Sequence, residues 1–133
     1  PFLMIDCVER LIPGKSCYAT KRLKKDDWFF KCHLEREKIM PGTLQIEAML
    51  QTLVLTIYTI QGHEGRLSYV TNINTKLISS VSPDCQLDIY ADLLSYKRGI
   101  AIGEVKVMVE DVNICRGRFT LISPHDMPLP KLH

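Results

Sequence analysis

The stretch from Thr43 to about Gln61 contains neither Gly nor Pro, and Gly62 closes it. Its nineteen residues predict a helix of about 28 Å at about 1.5 Å per residue. Leu44, Ile46, Ala48, Met49, Leu50, Leu53, Val54, Leu55, Ile57, Tyr58 and Ile60 put apolar side chains on nearly every face of it. A helix that is apolar most of the way round is either a buried core helix or a membrane span. Gln45, Glu47, Gln51 and four Thr interrupt the run, and no basic flank stands at either end. Both features argue for burial inside a protein core and against a span.

What surrounds this helix must therefore cover it. Residues 1–12 are apolar with a strand-like bias, Pro13-Gly14 signals a turn, and residues 15–25 read as a second strand with a basic end. Asp26-Asp27 leads into Trp28-Phe29-Phe30, an aromatic cluster expected in a loop that ends at Pro41-Gly42. Beyond Gly65 the periodicity changes to two. Residues 67–76 are β-branched and alternating, and residues 85–96 set Cys85, Leu87, Ile89, Ala91 and Leu93 opposite Gln86, Asp88 and Asp92. Lys97-Arg98-Gly99 supplies a hairpin turn, residues 100–110 alternate again, and a turn at Asp111–Asn113 leads to a strand over 114–122. The later strands follow each other by short turns and should pair antiparallel. The fold class expected is α+β: one antiparallel sheet wrapped around one long buried helix. A single sheet leaves one side of the helix uncovered, which predicts a dimer. The domain is expected over residues 1–123, with a Pro-rich tail over 124–133.

The balance of 17 basic against 15 acidic residues, net +2, gives no global argument for nucleic acid as a partner. The charge is uneven, however: residues 15–38 carry 8 basic and 4 acidic groups, a candidate docking face for an acidic partner or for phosphates. Five cysteines, at 7, 17, 32, 85 and 115, include no CxxC pair. Neither a zinc knuckle nor a disulfide framework is indicated, and free thiols in a reducing cytoplasm are expected. No metal and no cofactor are expected.

Glu47 is the one formally charged residue between Ile39 and Gly62. With Thr43 and Gln51 it forms a polar stripe at a spacing of four on an apolar cylinder. Two readings are open. Glu47 can be a helix-start residue satisfied by backbone amides and the helix dipole, or a carboxyl tuned by burial to act as a general acid, oriented by Gln51. His33 lies upstream in the aromatic loop and is either structural or a base. The Gly42 N–H stands at the amino end of the helix with no side chain to block a ligand, where it could polarise a carbonyl. His63, just past the helix, reads as a C-terminal dipole partner, and His125 and His133 read as solvated tail residues.

Phe29-Phe30-Lys31-Cys32-His33-Leu34, followed by Ile39-Met40-Pro41-Gly42-Thr43-Leu44-Gln45-Ile46-Glu47-Ala48-Met49-Leu50-Gln51, resembles the active-site segment of the β-hydroxyacyl-acyl-carrier-protein dehydratases, hotdog-fold enzymes of fatty acid synthesis. The family pattern is F-F-x-G-H-F-P, a short loop, then P-G-V-L-x-x-E-A-x-x-Q. The interval of fourteen residues from His33 to Glu47 is kept. Pro1 to Asp6 resembles the family's opening strand and Lys97-Arg98-Gly99 its hairpin.

The resemblance implies a hydro-lyase that converts (3R)-3-hydroxyacyl thioesters, on acyl carrier protein or coenzyme A, to trans-2-enoyl thioesters. His33 would remove the C2 proton, Glu47 would protonate the departing hydroxyl, the Gly42 amide would hold the thioester carbonyl, and Gln51 would orient Glu47. It also implies a homodimer with His and acid from different protomers, often assembled into a trimer of dimers. Glu at the acid position resembles the plain dehydratase branch rather than the dehydratase-isomerase branch, which carries Asp. Cys32, Leu34, Glu35 and Lys38 depart from the pattern and change the backbone allowed to the His loop, which suits a specialised acyl or polyketide-like chemistry. The alternatives are a hotdog acyl thioesterase, in which Glu47 activates water, and a non-catalytic hotdog subunit that binds acyl chains or a partner.

Overall fold

The computed structural model describes residues 3–32, 39–63 and 68–124. Eight elements follow in chain order: β1 (Cys7–Ile12), β2 (Ser16–Leu23), α1 (Trp28–Cys32), α2 (Gly42–Tyr58), β3 (Tyr69–Leu77), β4 (Cys85–Lys97), β5 (Ile100–Val109) and β6 (Val112–Ile122). The strands form one six-stranded sheet in the order β1-β2-β4-β5-β6-β3, every neighbouring pair antiparallel.

Alternation in sequence decides which face each strand buries. Leu87, Ile89 and Ala91 of β4, Ala101, Val105 and Val107 of β5, and Cys115, Phe119 and Leu121 of β6 all point to the buried face. Two-residue hairpins set the register between these strands. Arg98 and Gly99 turn with φ of 52° and 77°, and Glu110 and Asp111 with φ of 48° and 66°, a pair of positive values that matches strand twist. The second hairpin turns earlier than the composition suggests, so β6 starts at Val112 rather than 114.

α2 packs across this face against β2, β4, β5 and β6. Its sheet-facing stripe is Gln45, Ala48, Met49, Thr52, Leu53, Thr56 and Ile57, all buried. A close approach is at Gly103, where a Cβ would overlap Leu53 Cδ1; glycine there lets the helix sit down on β5. The threonines are tolerated because their hydroxyls bond back along the helix. Thr52 Oγ1 donates to the Ala48 carbonyl at 2.9 Å, Thr56 Oγ1 to the Leu53 carbonyl at 2.6 Å and Thr59 Oγ1 to the Leu55 carbonyl at 2.6 Å. The Gly14 N–H donates to the Thr56 carbonyl at 2.7 Å and ties the first hairpin to the end of the helix, where carbonyls lack intrahelical donors.

Three expectations shift. The helix begins at Gly42 and ends at Tyr58, and the chain then turns to Gly62, whose φ is +88°. The aromatic run is a five-residue helix, α1, and not a loop. Burying both Phe29 and Phe30, with ring centroids 4.7 Å apart, needs a helical turn too short to show a period in sequence. β3 precedes β4 but does not lie beside it; it crosses to the far edge and pairs with β6. The tail from residue 125 lies outside the described residues.

Candidate active site

Pro41 stands before the first turn of α2 with φ −57°, and no side chain caps that turn. Its carbonyl accepts the N–H groups of Leu44 at 3.0 Å and Gln45 at 3.2 Å. The N–H groups of Gly42 and Thr43 meet no acceptor among the described residues, as expected for helix-start donors. Donors of this kind at the positive end of a helix dipole can receive an oxyanion or a polarised carbonyl. Leu77, at the end of β3, lies against Gly42 so closely that a Cβ there would overlap Leu77 Cδ1. Gly42 thus packs under β3, and a larger residue there would have to push the Leu77 side chain aside.

Glu47 lies one turn further on and is half-buried. Gln51 Nε2 donates to Glu47 Oε1 at 3.1 Å, and Gln51 Oε1 accepts the Met4 N–H at 2.7 Å. The backbone N–H of Met4 can only donate. It therefore fixes which end of the Gln51 amide faces it and presents Nε2 to the carboxyl. Met4 is itself 1% exposed, so this chain of contacts anchors Glu47 to the N-terminal segment through a rigid point. Glu47 Oε2 has no hydrogen-bond partner among the described residues, which leaves one oxygen of the carboxyl available to a ligand. Thr43, the first member of the stripe, is exposed and takes no part in this chain.

His33 and the loop through Lys38 lie outside the described residues, as do His125 and His133 and the side chain of Cys32. His63 sits at the other end of α2. Its Nδ1 is 3.4 Å from the Gln61 carbonyl oxygen and its ring meets Tyr96 edge-on at 5.6 Å, so it is remote from Glu47. The basic stretch is partly answered within the chain. Lys21 pairs with Asp6 at 3.3 Å, Asp6 also accepts the Arg22 N–H at 2.6 Å, and Lys25 lies 3.9 Å from Asp84.

Three features escape the sequence pattern. Met4, 47 residues away from Gln51, is the anchor of the Glu47 arrangement. Leu77 forms the wall over Gly42. Gln45 is 3% exposed, and its Oε1 has no partner among the described residues; its place on the opposite side of the helix from the Thr43–Glu47–Gln51 stripe was the available signal.

A long helix held in an antiparallel sheet with a polar site at its amino end defines a hotdog-fold protein. Solved structures agree on the fold. An uncharacterized protein from Pyrococcus horikoshii superposes with a TM-score of 0.73 at 11% identity, over 92% of this chain and 85% of that one. A hypothetical thioesterase from Streptococcus pneumoniae, solved with coenzyme A, gives 0.71 at 13% identity, over 87% and 83%. The sequence carries the relationship further: residues 1–118 match the FabA-like domain, and the chain belongs to that family. The 3-hydroxyacyl-[acyl-carrier-protein] dehydratase FabZ of Pediococcus pentosaceus is 32% identical over 92% of this chain and 83% of its own length. That of Natranaerobius thermophilus is 33% identical over 90% and 85%.

Proposed function

We infer that this chain is a hydro-lyase of fatty acid synthesis that dehydrates 3-hydroxyacyl thioesters carried on acyl carrier protein. The observation that carries the reading is whole-chain kinship with 3-hydroxyacyl-acyl-carrier-protein dehydratases at about one third identity. The anchored carboxyl, on the same helix as start amides that meet no acceptor among the described residues, supports it. In the proposed reaction His33 takes the C2 proton, the C2–C3 double bond forms, and the C3–O bond breaks as Glu47 gives its proton to the departing hydroxyl, which leaves as water. The Gly42 N–H stabilises charge that develops on the thioester carbonyl, and Gln51 holds Glu47 in place. Acid–base assistance of this kind contributes about 10²–10⁴-fold.

The active form in this proposal is a homodimer. Two surfaces support it. The β3 edge of the sheet presents Val70, Ile73 and Leu77, the last two 47% and 49% exposed. The face of α2 turned away from the sheet leaves Ile46, Leu50 and Val54 half-covered. A second copy is the occupant proposed for these apolar surfaces.

The test is hydration of a trans-2-enoyl thioester, followed by loss of enoyl absorbance, on the acyl-carrier-protein and coenzyme A forms. His33→Ala and Glu47→Gln should each lower kcat by about 10²-fold or more while the fold persists. Release of free thiol without hydration would replace this reading with a thioesterase. Inertness towards both thioesters would remove it.

A further inference from the structure

The face of the sheet turned away from α2 carries an arrangement that the dehydration chemistry does not use. Register places Tyr18, Tyr90, Lys106, Arg116 and Lys76 side by side on five neighbouring strands. Direct cross-strand partners share one face of a sheet. Three cations therefore stand in one row at the strand spacing of about 4.8 Å, and Arg118 adds a fourth two residues along β6. Like charges placed directly opposite each other destabilise a sheet, so the free protein holds this row against its own repulsion.

The local counter-charge is incomplete. Glu104 pairs with Arg118 at 3.5 Å, and Asp92 lies across from Glu104 in the next row. Lys76 and Arg116 have no carboxylate within ion-pair distance among the described residues. Lys106 Nζ lies 5.4 Å from the centre of the Tyr90 ring. These groups line an open hollow of about 690 Å³ together with Asn74 and Asn113. The lining carries four cations and two carboxylates, a formal net charge of +2. The side-chain oxygen of Asn113 is buried without a hydrogen-bond partner among the described residues.

We propose that this outer hollow is a binding site for a small, multiply charged phosphate anion. Arg116 is the central ligand, with Lys106 and Lys76 on either side and Arg118 at the rim. A guanidinium offers paired donors to phosphate oxygens, and the two ammonium groups add point charge. Spread over adjacent strands, the cations suit a diphosphate or triphosphate better than a single carboxylate. A nucleobase is not part of the recognition. Tyr90 is stacked on Tyr18 on one side, at 4.5 Å and 4° between planes, and carries Lys106 over its ring. The sheet separates the hollow from α2, so the anion occupies a place distinct from the Glu47 site.

Inorganic tripolyphosphate and pyrophosphate, titrated into the full-length protein at low ionic strength, test this by calorimetry and by the rise in Tm that a native-state ligand produces. Binding should occur in the micromolar to low millimolar range and weaken steeply with salt. Arg116→Gln and Lys76→Gln are exposed changes on the outer face of the sheet, and each should weaken binding about tenfold or more. ADP should bind no better than pyrophosphate. The proposal falls if millimolar tripolyphosphate gives neither heat nor a Tm shift, or if both variants bind like the wild type. It falls equally if ADP binds far more tightly than pyrophosphate, or if an acidic peptide such as polyglutamate binds while the phosphates do not.

Discussion

In the proposed site Gln51 would join stability to catalysis, and two replacements separate the two roles. In Gln51→Leu the Met4 N–H loses the acceptor it now has at 2.7 Å. A buried donor left unpaired costs about 1–3 kcal/mol. The lost contact to Glu47 at 3.1 Å adds no more than about 1 kcal/mol because the carboxyl is partly solvated. Leucine recovers part of the total by burying apolar surface, so the expected net loss is about 1–3 kcal/mol, or roughly 3–10 °C in Tm for a domain of this size. Gln51→Glu keeps an oxygen for Met4 but removes the donor that Glu47 uses. It also sets two carboxylates one helical turn apart, at a cost of about 0.2–0.5 kcal/mol. The order of stability should be wild type, then Gln51→Glu, then Gln51→Leu. Activity should follow a different order. Both variants release Glu47, so both should lose kcat by about tenfold or more, with KM little changed, because a misplaced catalytic group can cost up to about 10². Enoyl-thioester hydration and thermal unfolding on the same preparations measure both orders. Full activity in Gln51→Glu would refute the orienting role, and wild-type stability in Gln51→Leu would refute the anchoring through Met4.

Other tests address the scaffold. Gly103→Ala should lower stability by about 1–3 kcal/mol, because the added Cβ overlaps Leu53 Cδ1 and stands 3.1 Å from the Asp92 carbonyl oxygen, which is backbone and cannot swing away; chemical denaturation reads this, and Leu53→Val in the same chain should recover part of it. If the proposed homodimer forms through the β3 edge, Ile73→Lys should give a monomer in sedimentation velocity and abolish hydration while circular dichroism stays unchanged. Cysteine alkylation followed by mass spectrometry should label exposed Cys7 in the native protein and spare buried Cys17 and Cys115. Burial pushes the Cys115 thiol up to about 12 from an ordinary value of 9.0. Its protonated form is therefore favoured by folding, and the stability it contributes is complete below about pH 9 and lost as pH rises towards 12. Cys115→Ser should make unfolding less pH-dependent over that window.

The long helix was legible because a helix covered on several sides must be apolar on several sides, and that leaves a local mark. The strands were legible because a half-buried strand alternates, and the β4–β5 hairpin was legible because Arg98-Gly99 tolerates the positive φ that a tight turn requires. Glu47 stood out for the converse reason: a lone charge in an apolar run needs an explanation. Gln51 could be named as its neighbour from spacing alone.

The tertiary structure decided what depends on distant residues. Nothing in residues 69–77 marks β3 as the neighbour of β6 rather than of β4, since alternation tells a strand which face to bury and not which strand to pair with. The Met4 contact to Gln51 and the Leu77 contact to Gly42 join parts of the chain that carry no shared local signal. The cation row shows the same limit most plainly. Lys76, Lys106 and Arg116 are isolated cations far apart in sequence, flanked by Thr75 and Leu77, Val105 and Val107, and Cys115 and Gly117, and only the antiparallel register of three strands turns them into one adjacent set. Periodicity is written residue by residue and determined the elements and their buried faces. Adjacency is set by which nonlocal pairings bury the most surface at once, and that choice belongs to the folded chain.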